Sequence, residues 1–173
     1  YPLGVRRSPA AVADDREFWL SYLKDAPQLE DAAADDAPDD QMEVVHSRQE
    51  ICADEMGDID RGLREYGLRR SVLLIAAVAV YWFRITGQSR RLFSLAASSR
   101  AKEERDVPGM ASNVVPMAIE VNVNDPLSRV ANAVAEEVRR LRGHWKYRGE
   151  DIRRDTGLGG SLGWFGPVIN IKS

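Results

Sequence analysis

The chain has 173 residues, 44% hydrophobic and 29% charged, with a formal net charge of −3. That length supports one domain with a real core, and the composition is that of an ordinary globular protein. The acidic balance argues against a general nucleic-acid binder and leaves room only for a local basic patch.

A single cysteine, Cys52, cannot form an internal disulfide and fits a reducing cytoplasm. The N-terminus lacks a charged start followed by an apolar run, so no signal peptide is read there. The chain opens on Tyr1 rather than methionine, which points to a piece of a longer protein. Residues 1–13 are rich in Pro, Ala and Arg and read as a linker, with the folded part expected over 14–173. Asp14 and Asp15 are expected to cap a short helix carrying Phe18, Trp19, Tyr22 and Leu23, with Trp19 in core packing. From Asp25 to Asp40 there are seven acidic and no basic residues, the pattern of a solvated loop; a partner contact is the alternative.

Met42 to Ile51 is a strand candidate, and the lone His46 within it has no second histidine or cysteine at ligand spacing. Asp54 is expected to open a helix whose apolar positions Met56, Ile59, Leu63 and Tyr66 share a face, with Gly67 closing it. Ser71 is expected to cap the next helix, where Val72 to Phe83 is a run of twelve apolar residues between Arg70 and Arg84. The run is too short to span a bilayer and predicts a central helix buried all round, ended by Thr86-Gly87. Arg91 to Ala97 reads as a strand, with Ser98-Ser99-Arg100 leaving its end.

After a charged loop ending at Pro108, Gly109 hinges a turn into a second strand. There Val115, Met117, Ile119, Val121 and Val123 alternate with Pro116, Ala118, Glu120 and Asn122, the period of a half-buried strand. Pro116 places that strand at an edge or a bulge. Asn113 sits just before it, either as a turn asparagine or lining a cleft. Asp125-Pro126 is a helix start, aspartate as cap and proline in the first turn, and Leu127, Val130, Val134, Val138 and Leu141 form one stripe. Its far end is basic, through Arg139, Arg140, Arg142, Lys146, Arg148, Arg153 and Arg154. Such a run is a solvated face that favours the helix dipole, or a seat for a phosphate-bearing partner. A final strand is expected over Pro167 to Ile171. There is no internal repeat, dinucleotide fingerprint, Walker loop or paired-cysteine metal motif.

Several of these segments, in this order, resemble the condensation domains of nonribosomal peptide synthetases. Tyr1 with Asp15-Arg16-Glu17-Phe18-Trp19-Leu20 is similar to the family's fourth core motif. Ser71 to Gly87 resembles the helix ending in Arg-x-Thr-Gly, and Phe93 to Arg100 the strand closed by a serine and an arginine. Gly109 to Pro116 resembles the fifth motif, with Ala111-Ser112 in place of Phe-Val. His144-Trp145-Lys146-Tyr147-Arg148-Gly149-Glu150 matches the sixth at His144, Tyr147 and Glu150. Phe165 to Ile171 resembles a strand of the subgroup related to siderophore synthetases.

The resemblance implies an α+β fold: the first part of the C-terminal lobe of a chloramphenicol-acetyltransferase-like domain, a mixed sheet packed by helices. It implies amide formation between thioesters held on the phosphopantetheine arms of donor and acceptor carrier proteins, in the cytoplasm. The family's His-His-x-x-x-Asp-Gly motif is not in this chain, whose two histidines, His46 and His144, stand apart. The fragment alone is therefore expected to be inactive, with the histidines in a missing N-terminal lobe. Arg100 matches the arginine that holds the aspartate of that motif, a structural role; an exposed loop arginine is the alternative. Asn170 and Asn113 are candidates for the substrate tunnel. Gly109 and Asn113 are expected to shape the lobe interface, and His144, Tyr147 and Glu150 to form a folding cluster.

Three other readings stay open: a free-standing acyltransferase of the same fold, a noncatalytic module that docks carriers through its basic patch, and a nucleic-acid binder through residues 139–154. The charge makes the last the weakest, and no metal, bound cofactor or membrane contact is expected. An isolated lobe would leave open strand edges or apolar surface, so self-association is expected.

Overall fold

The computed structural model describes residues 8–26, 45–98, 112–158 and 165–172. Its elements are helices α1 (Pro9–Leu23), α2 (Ala53–Glu65), α3 (Arg70–Thr86), α4 (Leu127–Arg142) and α5 (Gly149–Thr156), with strands β1 (Arg90–Ser98), β2 (Ser112–Glu120) and β3 (Val168–Ile169). The sheet order is β2-β1-β3, with β1 antiparallel to β2 and parallel to β3. Among the described residues no helix is long and apolar enough to cross a membrane.

The core follows the sequence periodicities. Phe93 faces Met117 and Leu95 faces Val115 across the β1/β2 ladder, so the alternating residues of both strands share one face. The ladder, α3 and α4 bury Ile75, Ala76, Ala79, Val130, Ala131 and Val134 with Phe93, Val115, Met117 and Ile119 in one cluster that also holds Trp19. Pro116 lies on an edge strand, where its missing N–H costs no ladder bond.

Helix starts differ from the sequence reading. Ser8, not Asp14 or Asp15, caps α1: its Oγ accepts the Ala11 N–H at 3.2 Å and Pro9 occupies the first turn. Residues 9–13 of the expected linker are thus helical, and Asp15 is buried for another purpose. Cys52 precedes α2, where the Glu55 carboxylate accepts its N–H at 3.1 Å, so the helix opens before Asp54. Arg69 rather than Ser71 holds the cap position of α3. At α4 the cap is Pro126, because Asp125 is spent accepting from the Asn122 N–H and Nδ2, both at 3.1 Å.

Four further expectations are corrected. Residues 45–51 make no strand: they are exposed, and mostly polar neighbours leave that stretch no apolar face to bury. Val123 is exposed, because β2 ends at Glu120 and a turn follows. Helix α3 is not buried all round, since Leu74, Tyr81 and Ile85 are exposed. The last strand is shorter than expected, with only Val168 and Ile169 finding partners on β1. Beyond Ala26 the acidic 25–40 stretch lies outside the described residues, as does residue 1.

Candidate functional site

The turn between α4 and α5 brings together segments from both ends of the chain. Helix α4 ends at Arg142 and the chain tightens over 143–147. The His144 N–H returns to the Leu141 carbonyl at 2.9 Å and the Tyr147 N–H to the His144 carbonyl at 3.1 Å. Trp19 of α1, fully buried, donates its Nε1–H to the His144 carbonyl at 3.2 Å. The His144 ring stacks on Phe18 with centroids 3.7 Å apart, and its Nδ1 lies 2.8 Å from the buried Asp15 carboxylate. Asp15 therefore orients the imidazole where sequence reasoning had made it a cap.

Asn113 ties this turn to β2. Its Nδ2 donates to the Trp145 carbonyl at 2.7 Å and the Tyr147 carbonyl at 2.6 Å. Its Oδ1 accepts from the Val114 and Gly149 N–H groups, each at 2.9 Å. Both donors and both acceptor positions of the amide are used, the full capacity of an asparagine side chain. A Cβ on Gly149 would sit 2.2 Å from the Val114 carbonyl oxygen, so the turn presses on the strand at a residue without a side chain.

Tyr147 is buried, and its hydroxyl donates to Asp155 Oδ2 at 2.6 Å. Asp155 also accepts from Arg16 Nε at 2.9 Å, bridging α5 to α1. The Tyr147 hydroxyl and the Arg16 guanidinium together hold the Asp155 carboxyl below the usual carboxylate range. Burial, with that carboxylate as acceptor, pushes the Tyr147 hydroxyl up to about 12. Glu150 stays apart from the cluster: it pairs with Arg148 at 3.2 Å and its side chain is 62% exposed.

Of the residues singled out in the sequence, the structure thus joins Trp19, Asn113, His144 and Tyr147. Asn170 stands elsewhere, exposed, beside a groove between α3 and β3. Arg100 and Gly109 lie outside the described residues. Sequence reasoning gave no role at the site to Asp15, Tyr22, Ser94 or Gly166. Tyr22 donates to Glu137 and accepts the Ala118 N–H at 2.8 Å. Ser94, buried mid-strand, accepts the Phe165 N–H at 2.9 Å. A Cβ on Gly166 would meet the Leu92 carbonyl oxygen at 2.3 Å. A serine between Phe93 and Leu95 in an apolar strand was the one visible signal among them.

Chemically, this arrangement holds and orients. The Asn113 amide, the Tyr147 hydroxyl and His144 Nδ1 are spent on partners within the cluster, and among the described residues no group of His, Cys, Asp and Glu side chains is placed to bind a metal ion.

The arrangement has counterparts of known structure. The first condensation domain of the CDA synthetase aligns over 96% of this chain at a TM-score of 0.75 and 25% identity, with 35% of that chain covered. The fold class is therefore the chloramphenicol-acetyltransferase-like α+β fold of condensation domains. A dimodular nonribosomal peptide synthase of Bacillus subtilis (strain 168) is 30% identical over 159 residues, 91% of this chain and 7% of the relative. Enterobactin synthase component F of Escherichia coli (strain K12) is 25% identical over 178 residues, 96% of this chain and 13% of the relative. A family model described as the condensation domain matches residues 6–173, and the chain belongs to that family. It spans only a small part of each of these relatives and about a third of the solved domain.

Proposed function

We propose that the chain works as part of a complete condensation domain that forms an amide between two carrier-bound thioesters. The observation that carries this reading is the clamp at Asn113. Two motifs of the resemblance, 32 to 36 residues apart in the chain, meet there in one hydrogen-bonded unit. In the reaction, the acceptor amine attacks the donor thioester carbonyl carbon. The C–N bond forms, the C–S bond breaks, and the donor phosphopantetheine sulfur leaves and ends as a thiol with the amine's proton. The lengthened product stays on the acceptor arm.

In this reading the remainder of the domain supplies the histidine motif, and this chain supplies the supporting wall. Arg100 bridges to the aspartate of that motif, Asn113 and Gly109 shape the lobe interface, and Asn170 touches substrate. The partners are donor and acceptor carrier proteins, each bringing its phosphopantetheine arm. A siderophore-type assembly line is supported by the enterobactin synthase relative and the Phe165–Ile171 motif. We place the chain in the cytoplasm, where the free, exposed Cys52 stays reduced.

The test uses the complete condensation domain with donor and acceptor carriers loaded as thioesters, following amide formation by intact-protein mass spectrometry. Wild type condenses, and Arg100→Ala loses most of that activity while keeping its fold. Unchanged activity in the variant removes Arg100 from the site. Carrier binding without amide formation by wild type favours a second reading, a noncatalytic docking module. That reading draws on the exposed Arg139, Arg142 and Lys146 at the end of α4.

A further inference from the structure

Helix α2 buries one side chain, Leu63, where α1 buries Asp15, Trp19 and Leu23 and α4 buries Val130, Ala131, Val134 and Leu141. Among the described residues, none from α2 belongs to the core cluster or to the partly buried shell packed against it. Residues 45–51, which lead into it, are exposed and form neither helix nor strand. So α2 is joined to the rest of the fold at its far end.

At that end the Leu68 N–H returns to the Leu63 carbonyl at 2.9 Å, and Leu68 packs against the core. Gly67 turns the chain between them with a φ of +63°. One charged contact spans the turn. Arg70, the first residue of α3, donates from Nε to Asp60 Oδ1 at 2.6 Å and from Nη2 to Asp60 Oδ2. The helix itself is weak. Gly57 and Gly62 lie inside it, and a Cβ at either would meet nothing within 4 Å. No close approach calls for a glycine there, yet each makes a helix interior about fivefold less favourable than alanine. Thirteen residues is also a length at which a helix depends on packing to persist.

We infer that α2 is a latched arm: it releases and unwinds as one unit about the turn at Gly67, with Asp60–Arg70 as its latch, while the sheet, α3 and α4 stay folded. Release breaks the ion pair, uncovers Leu63 and frees Met56 and Ile59, the half-buried members of the same stripe. Arg64 also acts on the Asp60 carboxylate but lies on α2 itself, so Arg70 is the cation that ties Asp60 to the fixed side. Arg70 is exposed, and salt screens such a pair, so ionic strength sets how long the arm stays down. Gly57 and Gly62 set the same balance from within the helix. A segment with one buried side chain and a weak helix belongs to the low-stability end of a domain, where local opening precedes global unfolding.

Hydrogen exchange read by NMR on the complete condensation domain tests the inference. The Ile59, Asp60 and Leu63 amides exchange roughly 100-fold faster than those of Phe93 and Val134, and urea changes their rates less. Arg70→Gln quickens the α2 amides by up to about fivefold. Sodium chloride at about 1 M quickens them in wild type more than in that variant. Gly62→Ala slows the same amides about fivefold. A core variant separates the two openings: Ile119→Val quickens Phe93 and Val134 about two- to tenfold and leaves the α2 amides at their wild-type rates. Exchange of α2 in step with Phe93 and Val134, in wild type or in Ile119→Val, overturns the inference, because α2 would then melt only with the core. Unchanged α2 rates in Arg70→Gln remove the latch and overturn it as well.

Discussion

The Asn113 side chain accepts the backbone N–H of Gly149 at 2.9 Å, while Gly149 itself leaves the space that the Val114 carbonyl fills. The first residues of β2 and the first turn of α5 are thereby fixed to each other without side-chain packing. Trp145 and Tyr147 complete the contact through their carbonyls, so the loop that carries His144 has one register on the strand.

Asn113→Ala leaves two amide donors and two carbonyls of a partly buried turn without partners. The expected loss is about 2–3 kcal/mol, because each stranded buried group costs more than the net worth of a bond. Asn113→Asp separates the clamp from simple size. It keeps the acceptor for Val114 and Gly149 but turns a carboxylate oxygen toward two carbonyl oxygens. Urea unfolding should rank the aspartate variant at least as unstable as the alanine. An aspartate variant as stable as wild type would show that the donations to Trp145 and Tyr147 carry nothing.

Gly149→Ala tests the close approach. Its methyl would overlap the Val114 oxygen, which is backbone and has little freedom to retreat. A loss of about 1–3 kcal/mol is expected, as for overpacking elsewhere, against the small change that Gly→Ala makes at an unstrained, open helical site. Gly57, inside α2 with nothing near its Cβ position, is the control. Its alanine variant should be neutral or slightly stabilising, and equal behaviour of the two would refute the contact.

The strand alternation, the edge position of Pro116, the apolar stripe of α4 and the Gly87 end of α3 were legible in the sequence, because each rests on periodicity or on one residue's backbone preference. The clamp was legible only in part. Asn113 stood out by its position, but its partners are main-chain carbonyls, which leave no trace in side-chain identity. Asp15 shows the same limit from the other direction. A local rule made it a cap, whereas Ser8-Pro9 began the helix about two turns earlier and freed Asp15 to meet His144, 129 residues away. The exposed face of α3 was hidden because an apolar run says how much surface wants burial, not which element arrives to bury it.

Asp155 and Tyr147 set a pH dependence with opposite signs at the two limits. The Asp155 pKa is lowered in the folded chain, first by the Tyr147 hydroxyl and then by Arg16. Its contribution is present above the ordinary aspartate value of 3.8 and is lost as pH falls through the lower folded value. The Tyr147 pKa is raised by burial and by the Asp155 bond, so its contribution holds below 10.0 and is lost as pH rises through about 12. Urea midpoints of wild type and Asp155→Asn, followed between about pH 5 and pH 2, check the acid limb. The variant should be less stable at neutral pH and lose less on acidification. Parallel curves would assign the acid sensitivity to other carboxylates.

Tyr22 guards the β2 edge, and its removal should open one amide rather than the strand. Its hydroxyl accepts from Ala118 and donates to Glu137, while burial and that carboxylate push it well above the ordinary tyrosine range, so it stays protonated and able to donate. Tyr22→Phe keeps the ring contacts with Phe18 and Trp19 and deletes only the oxygen. The Ala118 N–H loses its acceptor at a cost of about 1–2 kcal/mol. Its exchange should quicken beyond the change shared by the whole domain. The Met117 and Ile119 amides, which alternate toward β1, should follow only the global loss. Pro116 still interrupts the row of donors, so no new strand pairing becomes available and the variant should associate no more than wild type. Uniform acceleration of all three amides would instead mean that Tyr22 acts through packing, with the edge closed by Asn113 and Pro116 alone.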